Sequence, residues 1–224
     1  EAKYIGRALK ALKNQTIPRH HFEIIVVDNN SKDNTSEIAR RAGADIVVSE
    51  HRQGTNLARQ KGFEVSRGKI VAFLDADCVP PPRWLEKIER LLTSKNYAAV
   101  TGPYDYGFRG AKKIAEQAYF DAAFRLVPKT LSACFKKKAA AIMGGNFAAY
   151  RLTIKKIGGL PPIAFFGDDA HIALLIARRA GNVCFSPTLT VKSSPRRFKK
   201  KGLARTTLKY AKHYFKAYFE LPTE

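Results

Sequence analysis

Apolar residues along the first hundred positions follow two rhythms. In "YIGRALKALKNQ", Ile5, Leu9 and Leu12 fall at helical spacing with Lys and Arg between them, which predicts an amphipathic helix. "TIP" stops it. "FEIIVVDNNS" is a continuous apolar run that enters a polar turn, the pattern of a buried strand. "SKDNTSEIARRAG" offers Ser, Asp and Thr as helix caps and Gly43 as a stop. "ADIVVSE" reads as a third short element, a strand. "GTNLARQKGFEVSRG" reads as a helix leading into the strand "KIVAFLDADC". "PPPRWLEKIERLLTS" predicts a helix with Pro in its first turn, and "YAAVTGPY" another strand. This alternation predicts an α/β fold, a mainly parallel Rossmann-like sheet with helices on both faces.

The pattern changes near Gly107. "AKKIAEQAYFDAAFRLV" is helical, and "AAAIMGGNFAAYR" is a strand or bend around Gly144 and Gly145. "LTIKKIGGLPP" is a short helix and turn. "FFGDDAHIALLIARRAG" turns and then becomes a helix ending at Gly181. "NVCFSPTLTVKSS" is a strand. These breaks divide one compact unit into a nucleotide-binding half over 1–106, a substrate-binding half over 107–192 and a basic amphipathic segment over 193–224.

Charge narrows the class. A net charge of +21 points to a solvated basic surface, or to polyanions, anionic lipid heads or phosphorylated substrates. Cys78, Cys134 and Cys184 are far apart and lack CxxC spacing, which argues against a disulfide framework or a zinc site and for a reducing, cytoplasmic setting. No apolar run reaches the roughly 18 residues that cross a bilayer, and no signal peptide is visible. Between Lys192 and Lys216 the chain carries no Asp or Glu, and Phe198, Leu203, Leu208, Tyr210, Tyr214 and Phe215 are interleaved with Lys and Arg. Two readings fit: an interfacial helix held peripherally on the inner face of the cell membrane, near a lipid-linked acceptor, or a basic helix whose aromatics pack on the domain.

The candidate chemistry lies where strands end. In open α/β sheets, ligands bind beyond the carboxyl ends of the strands. Asp28 ends one strand, and Asp75 and Asp77 follow another. Two acids one residue apart at a strand exit can share a divalent cation and a ribose, the cation offsetting their repulsion. Oxygen ligands suit Mg2+ or Mn2+ rather than zinc. A solvated turn is the plainer alternative. Asp168 and Asp169, just before an apolar helix, also have a plain alternative in capping its N-terminus.

"ALKNQTIPRHHFEIIVVDNNSKDNT", "GTNLARQKGFEVSRGKIVAFLDADCVPPPRWL", "GGNFAAYRLTIKKIGGLPP" and "FFGDDAHIALL", in this order over most of residues 1–195, resemble the family-two inverting glycosyltransferases of GT-A fold. The resemblance implies transfer of a sugar from a nucleotide-diphosphate sugar to an acceptor hydroxyl on a glycan or lipid-linked molecule, with Mn2+ or Mg2+ and without nucleic acid. It makes Asp77 the metal ligand of a DXD motif, with Asp75 facing the ribose or supporting the metal through water. It puts Asp28 and Asn29 at the nucleobase, with Asn29 standing where many members carry a second Asp. It makes Arg59 a cation near the nucleotide, against the plainer reading of a surface helix cation.

On the acceptor side the resemblance implies Asp169 as general base, Asp168 as its orienting neighbour or cap, and Gly144, Gly145 and Asn146 as the bend beneath the acceptor. Arg196 and Arg197 match a basic pair that reaches the donor diphosphate. His171 stands where members often carry an acid, and touches a substrate or only the helix surface. Trp84 is expected to pack. The family opens with a further strand before the position of Glu1, so the sequence is expected to be a fragment or a trimmed product. A sugar nucleotidyltransferase and a basic nucleic-acid-binding module are the rival readings. Pyrophosphate release, or a salt-sensitive gel shift, would favour them.

Overall fold

The computed structural model describes residues 1–162, 167–196 and 203–222. Strands β1 (Ile25–Asp28) and β2 (Ile46–Ser49) pair in parallel, with Asp28 opposite Ser49 at their exits. The helix α1 (Ala2–Lys13) covers them with its apolar stripe, and α2 (Thr35–Arg41) joins it. Ile5, Leu9, Ile24 and Ala39 are buried together, with Leu12 packed against them, as the helical spacing requires.

Downstream lie α3 (Thr55–Val65), β3 (Ile70–Leu74), α4 (Trp84–Lys95), β4 (Ala99–Thr101) and β5 (Tyr104–Asp105). The prolines of "PPPRWL" lie ahead of α4, whose N-cap is Arg83, so they rigidify its approach and not its first turn. "YAAVTGPY" is split at Gly102 and Pro103 into β4 and β5. Helices α5 (Ala111–Asp121) and α6 (Val127–Phe135) are joined by a π-helical turn. Then come β6 (Asn146–Tyr150), α7 (Arg151–Lys156), α8 (Asp168–Leu175), β7 (Val183–Phe185), β8 (Val191–Lys192) and α9 (Leu203–Glu220).

Among the described residues, three of the five strand pairings are parallel: β1 with β2, β4 with β7, and β5 with β8. The exception decides the site. Strand β6 lies between β3 and β4 and runs antiparallel to both, with Asn146 opposite Leu74 and Phe147 opposite Thr101. An antiparallel strand begins where its neighbours end. The residues just before β6, Gly144 and Gly145, therefore meet Asp75, just after β3. Phe73 and Phe147 stack across this pair with centroids 4.5 Å apart, and both belong to a core that includes Phe63, Ile154, Ile172 and Ile176.

Helix α8 is buried on nearly every side, and α9 lies along it, burying Ala217 and Tyr218 against Leu131, Ala170 and Leu174. Arg178 fixes the end of α9 by donating to the carbonyl oxygens of Tyr218, at 2.8 Å, and Leu221, at 2.6 Å. The opposite side of α9 exposes Leu208, Phe215 and Phe219. Among the described residues, no helix is long and apolar enough to cross a membrane.

Candidate active site

Arg59, on α3, lies inside a ring of acids. Its Nη1 donates to Asp168 at 3.2 Å, to Asp169 at 3.3 Å and to the amide oxygen of Asn56 at 3.2 Å. Its Nη2 donates to Asp75 at 3.2 Å. Only 11% of the arginine side chain is exposed. Burial opposes its charge, but Asp75, Asp169 and Asp168 more than offset this and hold the guanidinium protonated. One planar fork therefore ties the acid after β3 to the acids that open α8. The plainer reading of a surface cation does not hold for Arg59.

The glycines make this approach possible. A Cβ at Gly144 would collide with the Asp169 carboxylate and with Arg59, and one at Gly145 with the Asp75 carboxylate. Gly144 N–H donates to Asp169 at 3.1 Å, and Asp75 N–H donates to the Gly145 carbonyl at 3.2 Å. The Tyr104 hydroxyl, carried by β5, is 3.4 Å from the second oxygen of Asp75.

Asp169 keeps 31% of its side chain open, whereas Asp168 keeps 11%. Burial of its carboxyl and the neighbouring Asp168 charge push Asp169 up to about 6, with Arg59 pulling the other way. His171 turns its Nδ1 to the Gly167 carbonyl, 2.8 Å away within its own helix turn.

Asp77, two residues beyond Asp75, exposes 12% of its side chain. Burial raises its carboxyl above the usual range, against the pull of Arg196, whose Nη2 is 3.2 Å away. A cavity of about 640 Å³ opens beside it, lined by Arg7, Lys10, Lys192, Ser193 and Ser194 among others. Three cations facing one acid suit an anionic ligand that shares a cation with Asp77. Among the described residues, no group of three or more His, Cys, Asp or Glu side chains is arranged to hold a metal ion. Asp75 and Asp77 supply hard carboxylate oxygens, and a guanidinium already stands against Asp77. Oxygen donors of this kind would suit a divalent ion such as Mg2+ or Mn2+ completed by phosphate and water.

Two asparagines turn their amides onto the protein itself. Asn29 gives both amide hydrogens to the carbonyls of Glu50 and Arg52, each at 2.7 Å, and its oxygen accepts from Gly54 N–H at 2.8 Å and from Gln53 at 3.4 Å. Its amide thereby clamps the loop before α3. Asn146 is 1% exposed. It donates to the carbonyls of Gly102 and Leu189 at 2.9 and 2.8 Å, and accepts from the indole of Trp84 at 3.0 Å. Its side chain is a buried junction of β6 with its neighbours, and Trp84 packs against it as expected. Asp28 accepts from Ser31 N–H at 3.2 Å. Burial works to raise its pKa, but hydrogen bonds from Ser31 and Ser36 bring it below the usual range. Arg197 lies outside the described residues.

Sequence reasoning missed Asn56, Tyr104, Arg7, Lys10 and Lys192. Arg7 and Lys10 are one helical turn apart on α1, but nothing local distinguishes them from the other cations of that helix.

Comparison with known proteins fits this geometry. The glycosyl transferase family 2 profile matches residues 1–158. Glycosyltransferase AglE of Haloferax volcanii is 31% identical over 176 residues, 76% of this chain and 56% of that protein. An undecaprenyl-phosphate 4-deoxy-4-formamido-L-arabinose transferase of Pseudomonas fluorescens is 30% identical over 146 residues, 61% of this chain and 39% of that protein. The chain thus spans little more than half, or less, of the length of these relatives.

Among solved structures, the mannosyltransferase PcManGT of Pyrobaculum calidifontis, in complex with GDP-Man and Mn2+, superposes with a TM-score of 0.77 at 23% identity, covering 99% of this chain and 62% of that one. Glucosyl-3-phosphoglycerate synthase of Mycobacterium tuberculosis, with Mn2+, UDP and glucosyl-3-phosphoglycerate, gives 0.64 at 20% identity, covering 99% and 77%. The fold is that of the GT-A glycosyltransferases. With the family profile covering residues 1–158, this chain belongs to glycosyl transferase family 2.

Proposed function

We propose that this chain is the catalytic unit of a metal-dependent inverting glycosyltransferase, moving a sugar from a nucleotide-diphosphate donor to an acceptor hydroxyl. One observation carries the reading: Asp75, beside the acid of the cation site, and Asp169, the open acid of α8, are held by one buried guanidinium. Residues 1–106 form the donor half and residues 107–192 the acceptor half. Asp28 and Asp75 border the donor, and Gly145 borders the acceptor by letting its backbone approach closely. Asp77, with Asp75 in support, would hold the divalent ion, Mn2+ or Mg2+, whose charge, when bound, stabilises the departing diphosphate.

Asp169 accepts the proton of the acceptor hydroxyl as that oxygen bonds to the anomeric carbon. The bond from the anomeric carbon to the diphosphate oxygen breaks on the opposite face. Its electron pair leaves with the nucleoside diphosphate, which inverts the centre. Asp168, fixed by Arg59, orients Asp169. Arg196, at the mouth of the cavity, turns to the diphosphate, and Arg197 is proposed as its partner there. The acceptor is a glycan or a lipid-linked molecule in cell-envelope polysaccharide synthesis. The undecaprenyl-phosphate relative supports the lipid-linked case. The exposed Leu208, Phe215 and Phe219 of α9, among lysines, would rest on an anionic membrane from the cytoplasmic side.

Screening nucleotide sugars for transfer or hydrolysis tests the activity. Release of nucleoside diphosphate is expected; release of pyrophosphate would indicate a nucleotidyltransferase instead. Asp77→Asn is expected to abolish cation-dependent donor binding in a calorimeter, and Mn2+-dependent binding at wild-type strength would remove Asp77 from the cation site.

A further inference from the structure

Arg196 is bound in a way that a simple phosphate-reaching arginine does not require. Its Nη1 donates to the Glu1 carboxylate at 2.7 Å, and its Nη2 contacts both Glu1 and Asp77, the latter at 3.2 Å. Its Cζ lies 5.0 Å from the centroid of the Tyr4 ring, whose environment also holds Arg7 at 5.5 Å. The guanidinium thus touches two carboxylates and an aromatic face. Asp77 is the recessed acid of the pair, 12% exposed, while Arg196 is 44% exposed. A recessed carboxylate needs a cation, and here Arg196 supplies it.

We infer that the Arg196 guanidinium is a resident stand-in for the divalent ion at Asp77, and that the ion enters by displacing it. This rests on the reading of Asp77 as the cation ligand. A divalent ion and a guanidinium repel one another when crowded onto one carboxylate, so binding of the ion breaks the Asp77 contact. The contacts to Glu1 and Tyr4 do not involve Asp77 and remain. They keep the freed guanidinium at the edge of the basic cavity, beside Arg7, Lys10 and Lys192, where a diphosphate can accept from it. Cation and nucleotide thus help each other to bind: the ion releases the arginine, and the diphosphate gives it a new partner. Without nucleotide, the ion must compete with Arg196 for Asp77.

The test is Mn2+ binding measured by electron paramagnetic resonance, with and without a nucleoside diphosphate, for the wild type, Arg196→Gln and Arg196→Lys. Without nucleotide, Arg196→Gln is expected to bind Mn2+ roughly fivefold more tightly, the scale of one partly exposed ion pair. Its affinity is expected to gain less from added nucleotide than the wild type's does. Arg196→Lys, which keeps the charge but not the fork, should fall between them. Equal or weaker Mn2+ affinity in Arg196→Gln overturns the displacement and leaves the cation site standing. Absence of Mn2+ binding from every form, even with nucleotide, overturns Asp77 as a cation ligand and the displacement with it.

Discussion

Arg59 serves three carboxylates with one positive charge, and at Asp169 this does not offset burial and the neighbouring Asp168 charge. The Asp169 carboxyl is pushed up to about 6. Below that value Asp169 is protonated and, as the proposed base, could not accept the acceptor's proton; above it the carboxylate is free. Turnover is expected to climb with pH through about 6 and to level off above it, and a pH–rate profile flat down to 4.5 would count against this base. Asp169→Asn is expected to lower turnover by about a hundredfold or more while donor binding by calorimetry changes little.

The same shift has a cost in stability. A carboxyl raised from 3.8 to about 6 on folding leaves the folded chain holding the proton more tightly than the unfolded one. Stability from this group is therefore present at low pH and is lost as pH rises through that window. Asp169→Asn should melt above wild type at pH 7.5, with the gap closing at pH 4. An unchanged melting difference across that range would show that the residue is not strained by its neighbours.

At the scale of elements, the site is a product of β6. Its antiparallel course brings Gly144 and Gly145 to the exit of β3, and the two glycines carry Asp169 and Asp75 against bare backbone. Gly145→Ala would force its methyl into the Asp75 carboxylate. The expected outcome is a folded protein about 1–3 kcal/mol less stable, as overpacking commonly costs, with cation-dependent donor affinity reduced at least tenfold. Chemical denaturation and calorimetry together check it, and donor affinity at the wild-type level would mean that Asp75 moves aside without consequence. Helix α8 contributes by its start. Gly167 holds a φ of 99° as its N-cap, a left-handed turn that glycine adopts readily, and this brings Asp168 and Asp169 into the first turn facing Arg59.

For the whole molecule, the proposed membrane contact joins a charge of +21 to the exposed apolar side of α9. Leu208, Phe215 and Phe219 are 73%, 41% and 50% exposed, and Lys209, Lys212 and Lys216 lie between them. Helix α9 packs on α8, which opens with the candidate base. A membrane under α9 would hold a lipid-linked acceptor near Asp169. The protein is expected to sediment with vesicles rich in phosphatidylglycerol but not with phosphatidylcholine vesicles. Binding should weaken in high salt, since screening shortens the reach of surface charge, and should fall severalfold in a Phe215→Ser, Phe219→Ser double variant. Sedimentation indifferent to lipid charge and to both substitutions would remove the membrane from the picture.

The sequence by itself determined the α/β character, the strand exits that carry Asp28 and Asp75, the buried stripe of α1 and the acids that open α8. Each is written in local periodicity or in a terminal residue, and local patterns need no partner to be read. Only the tertiary structure decided that β6 runs against its neighbours, that Asn29 and Asn146 turn their amides onto nearby carbonyls, and that Arg59 joins acids far apart in the chain. Arg59 and Asp169 are 110 positions apart. Their meeting depends on how whole elements pack to exclude water, and a short window of sequence carries no record of its distant neighbours.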